Sequence, residues 1–290
     1  MNTKVKGYLA GILGAIFYGT NPLGTLALYQ DHFTAGAVLF YRYVLATVII
    51  AVWMACRHET FHIKRGNAIR LSILGAFFAM SSLTLYLSFN YMDAGVASTI
   101  LFSYPIMTAI LMVAFFHERL RWSTTISITL AVLGIALLYR GGGAGGATLS
   151  TVGVSLVMLS SLLYAFYLIA TSQVHMGYSA LRFTFWVLLF GSITVCLWLL
   201  ITGEHVPMLH GAGEWTYALQ LALLPTVLSI FFINVAIDNI GSTPTAIMGA
   251  LEPMTAVFIG CAIYGESFTF RLAIGILLIL SAVILIVLRK

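Results

Sequence analysis

The stretch EPMTAVFIGCAIYGE, residues 252–266, has a counterpart in YPIMTAILMVAFFHE, residues 104–118. Pro105 and Pro253 lie 148 positions apart, and so do Glu118 and Glu266. In each stretch a glutamate follows the proline by 13 residues, across a segment that is almost wholly apolar or small. Two segments with the same punctuation point to a duplicated chain. Other pairs extend the match. Gly7 and Tyr18 recur as Gly153 and Tyr164 at an offset of 146, and Ala35, Phe40 and Trp53 recur as Ala180, Phe185 and Trp198 at an offset of 145. Between the copies runs Gly141-Gly142-Gly143-Ala144-Gly145-Gly146, the composition of a flexible linker. The chain therefore divides into residues 1–140, a linker over 141–150, and residues 151–290.

Composition says where the copies reside. Of 290 residues, 61% are hydrophobic and 8% are charged, with a mean hydropathy of +1.02. Soluble domains carry about 25% charged residues. A soluble enzyme with one apolar anchor is excluded, and so is a disordered chain. A transmembrane helix needs about 20 apolar residues. Ten such runs can be marked, at 7–29, 33–56, 68–92, 94–116, 123–140, 151–174, 179–202, 215–238, 243–264 and 271–288. The first is longer than the apolar region of a signal peptide and is read as an uncleaved span. Cys56, Cys196 and Cys261 fall in or at the ends of apolar runs, without metal-ligand spacing or a disulfide framework.

Charge orients the chain. With the N-terminus inside, the cytoplasmic segments hold Lys4, Lys6, Arg57, Lys64, Arg65, Arg70, Arg119, Arg121, Arg182, Arg289 and Lys290, while the outer segments hold only Arg140 and Arg271. That is the positive-inside asymmetry of a multi-pass inner-membrane protein with both termini cytoplasmic. It accounts for the net charge of +5 without nucleic acid. Five spans per copy is an odd number, so the second copy enters from the opposite side. The fold class expected is all-α integral membrane, ten transmembrane helices in an inverted 5+5 repeat. Secondary transporters commonly have this architecture, with the substrate site between the repeats near the midplane.

Ten spans, two five-span halves, and the pairs Pro105–Glu118 and Pro253–Glu266 resemble the EamA family of the drug/metabolite transporter superfamily, over essentially the whole chain. The resemblance implies export of amino acids and other small metabolites, in some members linked to protons, and it hints at a gating or stabilising role for the two glutamates. Beside nearby arginines, Glu118 and Glu266 also suit surface ion pairs.

Arg42 and Glu252 stand out by depth. Each lies about ten residues into a span, near the midplane at 1.5 Å per residue. A lipid-facing charge there costs about 2.5–3.5 kcal/mol or more, so both must face a partner, water or a polar interior. One reading is a clamp for a zwitterion, with Arg42 receiving a carboxylate and Glu252 an ammonium group or a proton. The other is a permanent Arg42–Glu252 ion pair. Pro105 and Pro253 are candidate hinges, because proline frees a carbonyl one turn earlier; Pro22 and Pro225 suit ordinary packing. Tyr18, Asn21, Tyr41, Tyr86, Tyr104, Tyr164 and Asn234 are candidate substrate contacts, an aromatic wall with a few polar groups, and Ser81, Ser82, Asn90, Ser103 and Tyr167 could line the same cavity or bond between helices. Gly7, Gly11 and Ala15 recur every four positions, as in close helix packing.

His58-Glu59-Thr60-Phe61-His62 matches the zinc-protease pattern H-E-x-x-H. That chemistry needs both histidines on one helix face, whereas this motif falls in a basic loop between spans. No phosphate-binding loop appears. The reading is a secondary transporter of small metabolites, with no enzymatic activity, cofactor or metal. Proton coupling through Glu252 is the alternative mechanism. A channel and an intramembrane metalloprotease using His58, Glu59 and His62 are the rival classes.

Overall fold

The computed structural model describes residues 3–116, 122–139, 150–173, 177–240, 245 and 248–288. Among them all regular elements are helical: α1 (Thr3–Gly19), α2 (Asn21–Gln30), α3 (Ala35–Cys56), α4 (Arg65–Ser88), α5 (Ala94–Leu101), α6 (Tyr104–Phe116), α7 (Trp122–Tyr139), α8 (Thr151–Gln173), α9 (Ala180–Thr202), α10 (Ala212–Ala222), a π-helical stretch (Leu223–Leu228), α11 (Ser229–Ile240), α12 (Leu251–Tyr264) and α13 (Phe270–Leu288). Helices dominate because hydrocarbon offers the backbone no other hydrogen-bond partner. Among the described residues, helix lies in each of the ten apolar runs. The first run is broken between α1 and α2, the fourth between α5 and α6, and the eighth contains the π-helical stretch. By length and composition six segments can cross a membrane: Ala35–Cys56, Arg65–Ser88, Ala94–Phe115, Thr151–Thr171, Ala180–Thr202 and Ala212–Ile240. Thr125–Leu137, Leu251–Tyr264 and Phe270–Leu285 are shorter apolar helices. The glycine joint at 141–146, together with Glu118, Arg119, Arg121, Arg140, Arg289 and Lys290, lies outside the described residues.

Helix ends carry recognisable signals. Thr34 and Ser179 cap α3 and α9, each hydroxyl accepting from the backbone N–H three residues on, at 3.2 Å. Gly203 and Gly265, both at φ +70°, end α9 and α12; the left-handed turn there suits glycine.

The principal packing runs between the halves. The chain pairs α1 with α11, α4 with α8 and α9, α3 with α9 and α10, α5 with α12, α6 with α8, α1 with α12, and α7 with α13. Number the ten runs in order and exchange each with the run five away. The α1–α11 contact then becomes α8–α4, α4–α9 becomes α10–α3, and α6–α8 joins α12–α1. The α3–α9, α5–α12 and α7–α13 contacts map onto themselves. The halves interlock, and their main buried cluster draws on both, with Leu39, Tyr43 and Leu74 beside Leu188, Leu199 and Ile279.

The exchange holds at the level of single hydrogen bonds. Ser81 Oγ donates to the Ser160 carbonyl at 2.9 Å, and its counterpart Ser229 Oγ donates to the carbonyl of Gly14, the counterpart of Ser160, also at 2.9 Å. Thr34 Oγ1 donates to Glu204 at 2.6 Å. Ser179, 145 residues after Thr34, donates to Glu59, 145 residues before Glu204. Thr47 and Ser192, also 145 apart, meet each other at 3.5 Å. Residues that touch their own counterparts lie beside the symmetry axis, so the axis passes between the middles of α3 and α9. The start of α3 meets the loop after α9, and the start of α9 meets the loop after α3, so the two helices run antiparallel. Equivalent elements therefore traverse the bundle in opposite directions, which is the inverted arrangement expected from the repeat.

Candidate functional site

Prolines mark the interruptions that shape the centre of the bundle. Pro22 is the second residue of α2, Pro105 the second of α6 and Pro253 the third of α12, while Pro225 lies in the π-helical stretch. The first turn of a helix tolerates proline because its N–H has no intrahelical partner there. The end of α1 presses on the start of α12: a Cβ on Gly19 would lie 2.6 Å from the Glu252 carbonyl oxygen. Only glycine permits that approach.

A small cavity opens where the α1–α2 and α5–α6 breaks meet the start of α12. Tyr18 and Asn21 line it from the α1–α2 break, Phe102 and Tyr104 from the α5–α6 break, and Glu252 and Pro253 from the start of α12. The Glu252 carboxylate accepts no hydrogen bond from the described residues.

Arg42 lies one layer behind the cavity. It is 2% exposed. Its Nε donates to Thr226 Oγ1 at 2.9 Å and its Nη1 to the Tyr86 hydroxyl at 2.8 Å. The guanidinium carbon lies 5.7 Å from the Tyr86 ring centroid and 5.9 Å from that of Tyr43, within cation–π range. Tyr86 donates in turn to Asn21 Oδ1 at 2.9 Å, and Asn21 Nδ2 donates to the Tyr18 carbonyl at 2.8 Å. The relay thus runs from a buried cation to a cavity-lining amide. No carboxylate among the described residues pairs with Arg42, so the permanent Arg42–Glu252 ion pair is absent from this conformation. Tyr18, whose carbonyl ends the relay, lines the cavity together with Glu252.

The symmetric frame carries asymmetric charges. Tyr104 is the counterpart of Glu252, and Tyr164 is the counterpart of Tyr18. The Tyr104 and Tyr164 rings meet edge to face with centroids 4.8 Å apart; at the equivalent place stand Glu252 and Tyr18. The counterpart of Arg42 is Val187.

The other sequence candidates are more dispersed. Tyr41 donates to the Pro207 carbonyl at 2.7 Å, near the α3 start and away from the cavity. Asn234 is not among the lining residues. Ser81 and Ser82 serve helix packing, with Ser82 accepting from Tyr43 at 2.7 Å. Glu266 caps α5, accepting from the N–H groups of Ala94 at 2.6 Å and Gly95 at 3.0 Å. This cap stands where the sequence suggested an exposed ion pair. The zinc-protease pattern lies in a loop, with His58 at φ 54° and Glu59 engaged by Ser179. No group of three or more possible metal ligands occurs among the described residues. Sequence reading missed Thr226, Phe102 and the Glu59–Glu204 equivalence. The last was visible in the 145-residue offset already carried by Trp53 and Trp198.

Comparison with known proteins gives the family. The model of the EamA-like transporter family matches residues 5–140 and again 151–288. The chain is 25% identical to the uncharacterized inner membrane transporter YicL of Salmonella typhimurium, over 99% of this chain and 96% of that one. It is 23% identical to the uncharacterized transporter YetK of Bacillus subtilis, over 86% of this chain and 77% of that one. A solved crystal structure shares the fold with a TM-score of 0.66 at 16% identity, covering 97% of this chain and 96% of the other. Two successive matches to one family model, with a cavity where the interlocked repeats break, lead to one conclusion: the chain is a membrane transporter that belongs to the EamA-like transporter family.

Proposed function

We propose that this transporter moves small metabolites bearing an ammonium group, amino acids including aromatic ones foremost, outward across the inner membrane by alternating access. The observation that carries the substrate class is the Glu252 carboxylate, unpartnered by described residues, in a cavity walled by Tyr18, Phe102 and Tyr104. A carboxylate receives the ammonium, and aromatic faces attract a cation or stack on an aromatic side chain. Arg42 supplies positive charge from behind, through Tyr86 and Asn21, and biases the Asn21 wall of the cavity toward the substrate carboxylate. Inverted halves give the motion its logic: exchanging their two conformations exchanges the open face. On this reading both termini lie in the cytoplasm, as the basic loops suggest.

Counterflow in proteoliposomes tests the reading. Glu252→Gln and Arg42→Ala are expected to lower amino-acid exchange at least tenfold while the purified proteins keep a monodisperse elution profile. Full exchange in both variants would remove these residues from the mechanism. The depth of Glu252 also supports proton coupling, in which it alternates between proton and substrate. A pH gradient then concentrates substrate above equilibrium in the native protein, whereas indifference to the gradient identifies a uniporter.

A further inference from the structure

We propose that α3 and α9 form a pivot that stays closed at both membrane faces throughout transport, held by the repeat-related pairs Thr34–Glu204 and Ser179–Glu59, and that access opens on the far side of the bundle, past α5 and α12. This proposal rests on the alternating-access reading.

Three observations carry it. First, the same latch occurs twice and both copies are closed together. Thr34 Oγ1 donates to Glu204 at 2.6 Å, and Trp198 Nε1 donates to the other oxygen of that carboxylate at 3.2 Å. Ser179 Oγ donates to Glu59 in the same way. The two latches lie at opposite ends of the 22-residue α3, about 33 Å apart. The second has reinforcement: Asn67 Nδ2 donates to the Tyr178 hydroxyl at 2.9 Å, and the Arg182 guanidinium stacks 4.2 Å over the Tyr178 ring.

Second, the seam lies on the symmetry axis. Thr47 and Ser192 touch at its middle, and each stands 13 residues from its helix-capping hydroxyl residue, Thr34 or Ser179. Contact continues outward from there. Tyr43 packs against Gly191, and Phe61 meets Phe185 with ring centroids 5.2 Å apart. Exchanging the conformations of the two halves turns each latch into the other, so with both closed in this conformation both are closed in the exchanged one.

Third, the cavity is elsewhere. Its lining comes from α1, α2, α4, α5, the start of α6, α12 and the α5–α6 break, with no residue of α3 or α9. A substrate leaving that cavity has no need to part the α3–α9 seam. The contact that parts on this proposal is α5–α12, which lines the cavity through Ser98, Leu101, Glu252 and Ala256 and where Glu266 holds the first N–H groups of α5. Glu59, Glu204, Thr34 and Ser179 are therefore positioning residues.

Reducible cross-links decide the matter. Native Cys56, Cys196 and Cys261 are replaced by serine. Thr34→Cys with Glu204→Cys, and Ser179→Cys with Glu59→Cys, are then bridged singly and together by a short bifunctional thiol reagent with a disulfide core. Counterflow of radiolabelled amino acids is expected to stay within about twofold of the reduced protein. Bridging Ala94→Cys to Glu266→Cys is expected to stop it, with recovery on reduction. Transport that stops when either latch is bridged and returns on reduction overturns the pivot. If the reduced proteins move no amino acid, the substrate reading fails, and a thiol in the cavity decides the pivot. Ser98→Cys is then labelled with a membrane-impermeant maleimide from each side. Labelling unchanged by the latch bridges upholds the pivot, and labelling lost from one side refutes it.

Discussion

Glu252 and Tyr104 occupy the same place in the two halves, and the site begins where they differ. A duplicated helix pair needs no charge to pack, as Tyr104 and Tyr164 demonstrate by meeting edge to face. The carboxylate at the other copy is a departure from the scaffold. Deep charges were legible in the sequence because so few residues in the spans are charged. Their relation was not legible: depth alone could not reveal that Arg42 donates to Thr226 and Tyr86 instead of to Glu252. Thr226→Val leaves the buried Arg42 Nε without its acceptor and is expected to cost about 1–3 kcal/mol, read as a lower midpoint of thermal unfolding in detergent. Gly19→Ala places a methyl group 2.6 Å from a backbone oxygen and is expected to destabilise by about 1–3 kcal/mol. Gly66→Ala, where a Cβ meets open space, leaves the midpoint unchanged. At Glu266 burial pushes the carboxyl above its ordinary 4.5, against the pull of the Gly95 and Ala94 N–H groups. Ionisation is then costlier in the folded than in the unfolded state. This group's contribution favours folding most below 4.5 and is lost as pH rises through its native value. Glu266→Gln is expected to remove that component from a plot of unfolding midpoint against pH; an unchanged plot contradicts the assignment.

Breaks within helices set the cavity, and they were the least legible elements. Hydropathy marked all ten runs because a turn or two of irregular backbone leaves the mean of a long apolar segment unchanged. It could not locate the interruption at Thr20, between α1 and α2, or at Phe102–Ser103, between α5 and α6. The sequence assigned Pro22 and Pro225 to ordinary packing. In the structure Pro22 opens α2 at a cavity-lining break, and Pro225 sits in the π-helical stretch beside Thr226, whose hydroxyl donates to the Leu221 carbonyl at 2.9 Å. Local irregularity of this kind satisfies the carbonyls that proline frees. Pro253→Ala restores an N–H at the start of α12 and favours extending the helix toward Ala250. It is expected to slow counterflow several-fold without lowering the unfolding midpoint. An unchanged rate would show that the break does not move during transport.

Duplication and inversion were legible in the whole chain, from paired offsets and the odd number of runs per copy. Interlocking was not, because helices apolar on every side carry no stripe that names a neighbour. Side-chain meetings such as Ser81 with Ser160 and Thr34 with Glu204 decide that, and they appear only in three dimensions. The halves bury their surfaces chiefly against each other, so residues 1–146 and 147–290 expressed separately are expected to be degraded, and expressed together to reassemble. The central claim is that equivalent parts of the two copies face opposite sides of the bilayer. Glu59 and Glu204 are such a pair, each in a loop just past its helix. In a background with the three native cysteines replaced by serine, Glu59→Cys and Glu204→Cys are introduced singly and treated in intact cells with a membrane-impermeant maleimide. The inverted arrangement predicts labelling at position 204 alone, with position 59 reacting only after the membrane is opened. Labelling of both positions from the same side would contradict it.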